Sequence, residues 1–244
     1  MYNPLKKILH FFHEISWMKW YLPQTIWFNF HYLPFHQAKH LPILLSRPTF
    51  RKLGGHIKID PTDGKIYRGM IKLGLKTIGV SDGIGVVWEN NGTIVFHGPC
   101  TLGAGVKLAV FDTGILSFGS HFTATDGLRV VCGKSITFEN DVLIGWDTTV
   151  MDTNQHQLSS PNGQKIGQAY APIRIGDATW FGFGCTILPG TEVPSRCVVA
   201  SKSLLNKKYN VESYTLLAGI PAIVKAHGVW RNPKDDRIEY LNNG

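Results

Sequence analysis

The fold class this sequence predicts is a parallel β-helix of hexapeptide coils, and three observations carry that prediction. Large apolar residues recur at every sixth position, as Ile175, Phe181, Ile187, Val193 and Val199. The residue four places after each is small: Thr179, Cys185, Thr191, Cys197 and Ser203. Many of the 26 glycines fall at regular intervals, which marks repeated tight turns rather than flexible linkers.

The period dictates the geometry. Each hexad is a short flat strand plus a turn, and three of them close a triangular coil of about 18 residues. The large side chain of each hexad stacks in a column inside the prism, and the small one sits near a corner. Gly, Asn and Asp supply the turn conformations. Stacked coils satisfy the backbone by parallel pairing. An amphipathic helix has period 3.6, of which six is no near multiple. An alternating strand of a β-sandwich has period two, which six contains, but the small residues at a fixed place in each hexad argue against it.

Upstream, the same phase runs through Cys132, Phe138, Ile144 and Val150, with Ile136, Val142 and Thr148 as partners. Phe96, Leu102 and Leu108 form an earlier block with Cys100 and Val106, and Phe118 and Ala124 another with Phe122 and Leu128. Slips of one or two residues separate the blocks near Phe111 to Gly114 and near Val130. The β-helix is expected over residues 66–206, with 207–244 as a closing segment.

Residues 1–65 read differently, as a mixed helix and strand segment that caps the open end of the solenoid. Leu5, Ile8, Leu9, Phe12 and Ile15 follow helical spacing, and Pro23 ends that element. Ile26, Phe28, Phe30 and Tyr32 then alternate like a strand. The segment's first fifty-odd residues are basic: Lys6, Lys7, Lys19, Lys39, Arg47, Arg51 and Lys52 stand against Glu14 alone, within a chain of net charge +8. That excess favours anionic partners, and a peripheral hold on the inner face of a membrane is the rival role for this segment. No recognition module for nucleic acid accompanies the charge. The start is a poor signal peptide, and no run of about 18 apolar residues occurs, so no transmembrane helix is expected. Cys100, Cys132, Cys185 and Cys197 are widely spaced without C-x-x-C, which disfavours a zinc site. Read as buried thiols, they place the chain in a reducing cytoplasm.

The repeat is interrupted once by a long excursion, residues 151–172, carrying a single histidine, His156, and an acid four residues before it, Asp152. Long loops in a regular solenoid are usually functional.

Three stretches carry a resemblance: I-G-W-D-T-T-V-M-D-T-N-Q-H at Ile144 to His156, I-R-I-G-D-A-T-W-F-G-F-G-C-T-I-L-P-G at Ile173 to Gly190, and A-G-I-P-A at Ala218 to Ala222. Together they resemble the hexapeptide-repeat acyltransferases, the galactoside, maltose, nodulation-factor and polysaccharide O-acetyltransferases. The resemblance covers residues 90–226. It implies a left-handed β-helix, a homotrimer with sites between subunits, acetyl-CoA as acyl donor, no metal, and a sugar or glycan acceptor in cell-envelope polysaccharide biosynthesis. N-acetyl transfer to an aminosugar or sugar nucleotide, and a non-catalytic β-helix scaffold, remain the alternatives.

Acyl transfer from a thioester to an alcohol needs a base for the hydroxyl proton, donors for the oxyanion and close positioning. An imidazole, with an ordinary pKa of about 6.5, suits the first task. His156 is the expected base, and Asp152 either orients it or caps a turn. The resemblance places Trp180 where donor meets acceptor, and Gly182, Phe183, Ser201 and Lys202 along the pantetheine arm. Lys207 and Lys208 are expected at its phosphates as point charges. The donor coil departs from the family pattern at Lys202, where a glycine is usual, and at Asn206, where a threonine is.

Overall fold

A computed structural model describes residues 21–77, 79 and 82–235. Strands wind through three faces in strict rotation. Face A holds β1 (Ile43–Leu45), β4 (Ile71–Leu75), β7 (Cys100–Gly103), β10 (Phe122–Ala124), β13 (Leu143–Ile144), β18 (Trp180–Phe181), β21 (Val198–Val199) and β23 (Thr215–Gly219). Face B holds β2 (Pro48–Lys52), β5 (Val86–Asn90), β8 (Val106–Val110), β11 (Arg129–Cys132), β14 (Thr149–Met151), β19 (Thr186–Ile187) and β22 (Leu204–Leu205). Face C holds β3 (His56–Ile59), β6 (Thr93–Phe96), β9 (Ile115–Phe118), β12 (Ser135–Phe138), β17 (Ile173–Ile175) and β20 (Glu192–Val193). Every pairing within these three runs is parallel, so the expected left-handed β-helix is the fold.

The repeat phase read from the sequence is the inward phase. Ile175, Phe181, Ile187, Val193 and Val199 are all buried, and so are their small partners. Thr179 and Thr191 survive burial because their hydroxyls donate to the carbonyls of Pro194 and Leu188. The four cysteines are buried free thiols. On face C an aromatic column fills three coils: Phe118 stacks on Phe96 at 5.4 Å and on Phe138 at 5.6 Å.

The solenoid begins earlier than expected. The sequence places its start at residue 66, but β1, β2 and β3 pair in parallel with β4, β5 and β6, so the first coil starts at Ile43. Register shifts at Phe50/Lys52 and Leu73/Leu75, and longer connections between faces, hide the six-residue period there. At the other end, face A continues past residue 206 through β23, and the chain then turns back as β24 (Ala222–His227), antiparallel to β23.

The predicted strand over Ile26 to Tyr32 is instead part of the helix α1 (Leu22–Tyr32), followed by α2 (Phe35–Ala38). Pro23 starts this helix rather than ending one, since a first-turn proline sacrifices no helical hydrogen bond. The alternation misled because α1 is apolar on both sides, with Phe28 buried and Ile26, Trp27 and Phe30 exposed. The helical spacing from Leu5 to Ile15 lies outside the described residues.

The helix closes the prism by chemistry as well as by bulk. Phe28 meets Trp88 edge-on at 5.1 Å and lies on Phe50 at 5.6 Å. The unpaired edge of β1 would leave buried amides without partners. Asn29 accepts from the amide of Ile43 and donates to its carbonyl, while the Thr25 hydroxyl accepts from the amide of Leu45. Among the described residues no helix is long and apolar enough to cross a membrane.

Candidate active site

The excursion leaves the corner between faces B and C in the fifth coil, between β14 and β17. It carries a hairpin of its own, β15 (Leu158–Ser159) against β16 (Lys165–Ile166). Three features hold its base. Asn154 and Ala169, and Ala171 and Asp152, join backbone to backbone across the neck. Tyr170 lies over Gly133, where an added Cβ would come within 2.5 Å of its ring. The third is the Asp152 carboxylate, which is fully buried and accepts from the amides of Gly133 (2.6 Å), Lys134 (2.8 Å) and Ser135 (2.6 Å).

Of the two roles expected of Asp152, orienting the imidazole or capping a turn, the arrangement matches the cap. Its oxygens are taken up by three amides of the preceding coil, and no hydrogen bond or ion pair joins it to His156. Asp152 is the clamp that fastens the loop to the solenoid. His156 stands beyond the clamp, exposed, with no hydrogen bond or ion pair to another described residue. Its neighbours are fixed: Gln155 takes a positive φ of 57°, and Gln157 donates to the carbonyls of Leu158 and Ile166. Beside the hairpin, Thr113, Lys134, Gln157 and Tyr170 line an open groove.

The corner between faces A and B forms a second assembly. Trp146 of the fifth coil stacks on Phe183 of the sixth, and the Lys202 ammonium of the seventh lies 5.2 Å above the Phe183 ring. Gly182 lets these coils close up, since a Cβ there would lie 2.5 Å from Ser201 Oγ and 2.6 Å from its amide nitrogen. Lys202 occupies a left-handed turn position with φ 61°, in the same place as Gly184 one coil earlier at φ 65°, where the family's usual glycine would be relaxed. Below Trp146, a cavity of about 330 Å³ is lined by Asp126, Asp147, Lys107, Arg129 and Asp82. Asp126 is buried; its Oδ1 accepts from Thr77 and from the Ala104 amide, while Oδ2 has no partner.

Of the expected donor-binding residues, Gly182, Phe183, Ser201 and Lys202 therefore come together at one corner. Trp180 does not join them; it stands half-exposed on the outside of face A, between Leu143 and Val198. Lys207 and Lys208 follow β22 at the corner between faces B and C. Lys208 pairs with Glu192 at 2.7 Å, and the Lys207 ammonium lies 5.6 Å from the Tyr209 ring. Within one chain the expected donor residues therefore fall on two corners. The lysines share a corner with the His156 loop, and the glycine-aromatic strip lies along another. Sequence reasoning missed Trp146, Asp126, Lys107 and Arg129, which only coil stacking brings together. Asp147, in the same turn, was the one signal. Among the described residues no group of three His, Cys, Asp or Glu side chains could hold a metal ion.

No family model matches the chain. It is 30% identical over 149 residues to a lipopolysaccharide biosynthesis O-acetyl transferase, WbbJ of Escherichia coli K12, covering 57% of this chain and 74% of that one. The chain belongs to the hexapeptide-repeat acyltransferases. A second relative of this acyltransferase, the galactoside O-acetyltransferase of Lactococcus lactis, is 30% identical over 109 residues, or 44% of this chain and 51% of that one. In fold, the acyltransferase is similar to the polySia-specific acetyltransferase NeuO, with a TM-score of 0.50 at 16% identity, over 81% of this chain and 94% of the other.

Proposed function

We propose that this acyltransferase moves an acetyl group from acetyl-CoA to a sugar hydroxyl during cell-envelope polysaccharide biosynthesis. One observation carries the reading: the regular coils from Phe96 on are broken by a long loop at residues 151–172, that loop is clamped by a buried carboxylate, and it holds out an unpartnered imidazole. A surface histidine on a wandering loop would need no such anchorage. The relative named for lipopolysaccharide biosynthesis supports an envelope glycan as acceptor.

In this reading His156 takes the proton of the acceptor hydroxyl as that oxygen bonds to the acyl carbon. It then returns the proton to the departing sulfur, leaving an acetyl ester and a free thiol. At Gly182 the coil edge carries no side chain, so an extended pantetheine arm can lie against backbone there, and Lys202 puts a cation at that edge. The cavity under Trp146 offers an aromatic wall, carboxylates and cations of the kind that bind a sugar ring. Because His156 and the Gly182 strip lie on different corners, a homotrimer is proposed, in which one subunit's loop meets the next subunit's strip. Four buried free thiols support a reducing, cytoplasmic location, and a peripheral hold at the inner face of the membrane is part of the proposal.

The test is thiol release from acetyl-CoA against a panel of sugars and glycans. His156→Ala is expected to lower turnover about 10²–10⁴-fold while donor binding persists. Near-normal turnover in that variant would sink the assignment.

A further inference from the structure

Helix α1 caps the solenoid with one side only. Thr25, Phe28 and Asn29 face inward and are buried. Ile26, Trp27 and Phe30 face away, 41%, 47% and 46% exposed, and Phe35 at the start of α2 is 72% exposed. Positions 26, 27 and 30 are neighbours on a helix surface, and Phe30 meets Phe35 with ring centroids 6.1 Å apart. Trp27 is braced from both sides, stacked on His31 at 4.9 Å and leaning on Phe50 at 5.7 Å. The four side chains form one rigid apolar surface at the end of the prism.

The chain that builds this end is basic. From residue 21 to residue 59 the chain contains no Asp or Glu. Over the same span Lys39, Arg47, Arg51 and Lys52 are exposed. Arg51 and Lys52 follow Phe50, against which Trp27 leans, and Lys39 follows the helix that begins with Phe35. Lys52 is held by Glu89 at 3.4 Å; no ion pair holds Lys39 or Arg51 among the described residues. Large exposed aromatics ringed by unopposed cations complement an interface where acyl chains lie beneath anionic headgroups. Exposed aromatics beside cations match the layering of an anionic bilayer, apolar below and charged above, which favours lipid as the occupant.

We propose that Ile26, Trp27, Phe30 and Phe35, flanked by Lys39 and Arg51, seat this protein on an anionic phospholipid surface. The inference rests on the placement at the inner face of the membrane proposed above and is independent of acyl transfer, because vesicle binding and thiol release are separate readouts.

Co-sedimentation of the full-length protein with vesicles of equimolar phosphatidylglycerol and phosphatidylcholine tests it. The protein is expected to sediment with these vesicles, to stay in solution with phosphatidylcholine alone, and to be released by high salt. Each Lys or Arg charge contributes about fivefold to such partitioning, so Lys39→Gln with Arg51→Gln lowers it well over tenfold. Phe30→Ser with Phe35→Ser lowers it at least as far. Both double variants keep the native melting temperature and thiol-release activity on a water-soluble acceptor. Failure of the native protein to bind anionic vesicles, or binding that both variants retain, overturns the proposal. So does a lowered melting temperature in Phe30→Ser, Phe35→Ser with vesicle binding intact, the result expected if residues 1–20 cover this face.

Discussion

Trp146 lies flat on Phe183, with ring centroids 5.0 Å apart and planes within 10°. The two residues are far apart in sequence because the His156 loop intervenes, yet they occupy the same turn of consecutive coils. Lys202 adds a cation to the exposed side of the stack. An aromatic contact of this kind contributes about 0.5–1.5 kcal/mol beyond the area it buries.

If the strip holds the donor, Phe183→Ala is expected to raise the KM for acetyl-CoA several-fold and to leave kcat within about threefold, since the residue binds donor equally before and during the reaction. A steady-state titration of donor at saturating acceptor reads the two apart. A fall in kcat with unchanged KM would move Phe183 out of the donor strip.

Asp152→Asn tests the clamp. The amide keeps one acceptor but turns an N–H toward backbone amides that need an oxygen. Hydrogen bonds to a charged group contribute about 1.5–3 kcal/mol each, and a buried unpaired amide costs about as much. A loss of about 2–4 kcal/mol in denaturant unfolding is expected. Because no hydrogen bond joins Asp152 to His156, the residual activity should keep the native pH profile. A shifted profile would restore the imidazole-orienting role.

Phe118→Ala empties the middle of the aromatic column between Phe96 and Phe138. Coils above and below are tied by parallel ladders and cannot collapse into the gap, so the loss should fall at the usual aromatic-to-alanine cost of about 3–5 kcal/mol. The midpoint of urea unfolding measures it, with an unchanged slope showing that cooperativity survives.

Burial pushes the thiols of Cys100 and Cys132 up, and the nearby Asp152 carboxylate adds to the effect at Cys132. The folded chain thus holds these protons where the unfolded chain releases them. Their stabilising contribution is complete below the ordinary thiol value of about 8.5 and declines as pH rises above it toward the raised values. The melting temperature should fall above about pH 9, and less steeply in Cys100→Ala, Cys132→Ala. Equal slopes for the two proteins would show that other groups control alkaline unfolding.

The middle and end of the solenoid were legible because their side chains repeat in a fixed phase that burial enforces, from Phe96 to Val199. The loop was legible for the opposite reason, as the place where that phase stops. The first coil was not, since bulges at Phe50/Lys52 and Leu73/Leu75 remove the period while the parallel ladder persists. Helix α1 was misread because its apolar residues at every second place are split between the buried side, with Phe28, and the exposed side, with Ile26 and Phe30. At the site, His156 could be read from one stretch of chain. The cavity under Trp146 could not, because Lys107, Asp126, Arg129 and Asp147 reach it from three coils and Thr77 secures Asp126 from a fourth.

The corner carrying Trp146, Phe183 and Lys202 is graduated. Parallel strands stand about 4.8 Å apart, so each of these residues marks one division. The His156 loop leaves in the fifth coil, and Lys207 and Lys208 follow the face B strand two divisions further along the same edge. Reach along this molecule is therefore set in whole coils: inserting or deleting one between the loop and the lysines would change their separation by about 4.8 Å without disturbing the packing of any coil. Length along this edge is thus a quantity that changes in steps of one coil rather than continuously.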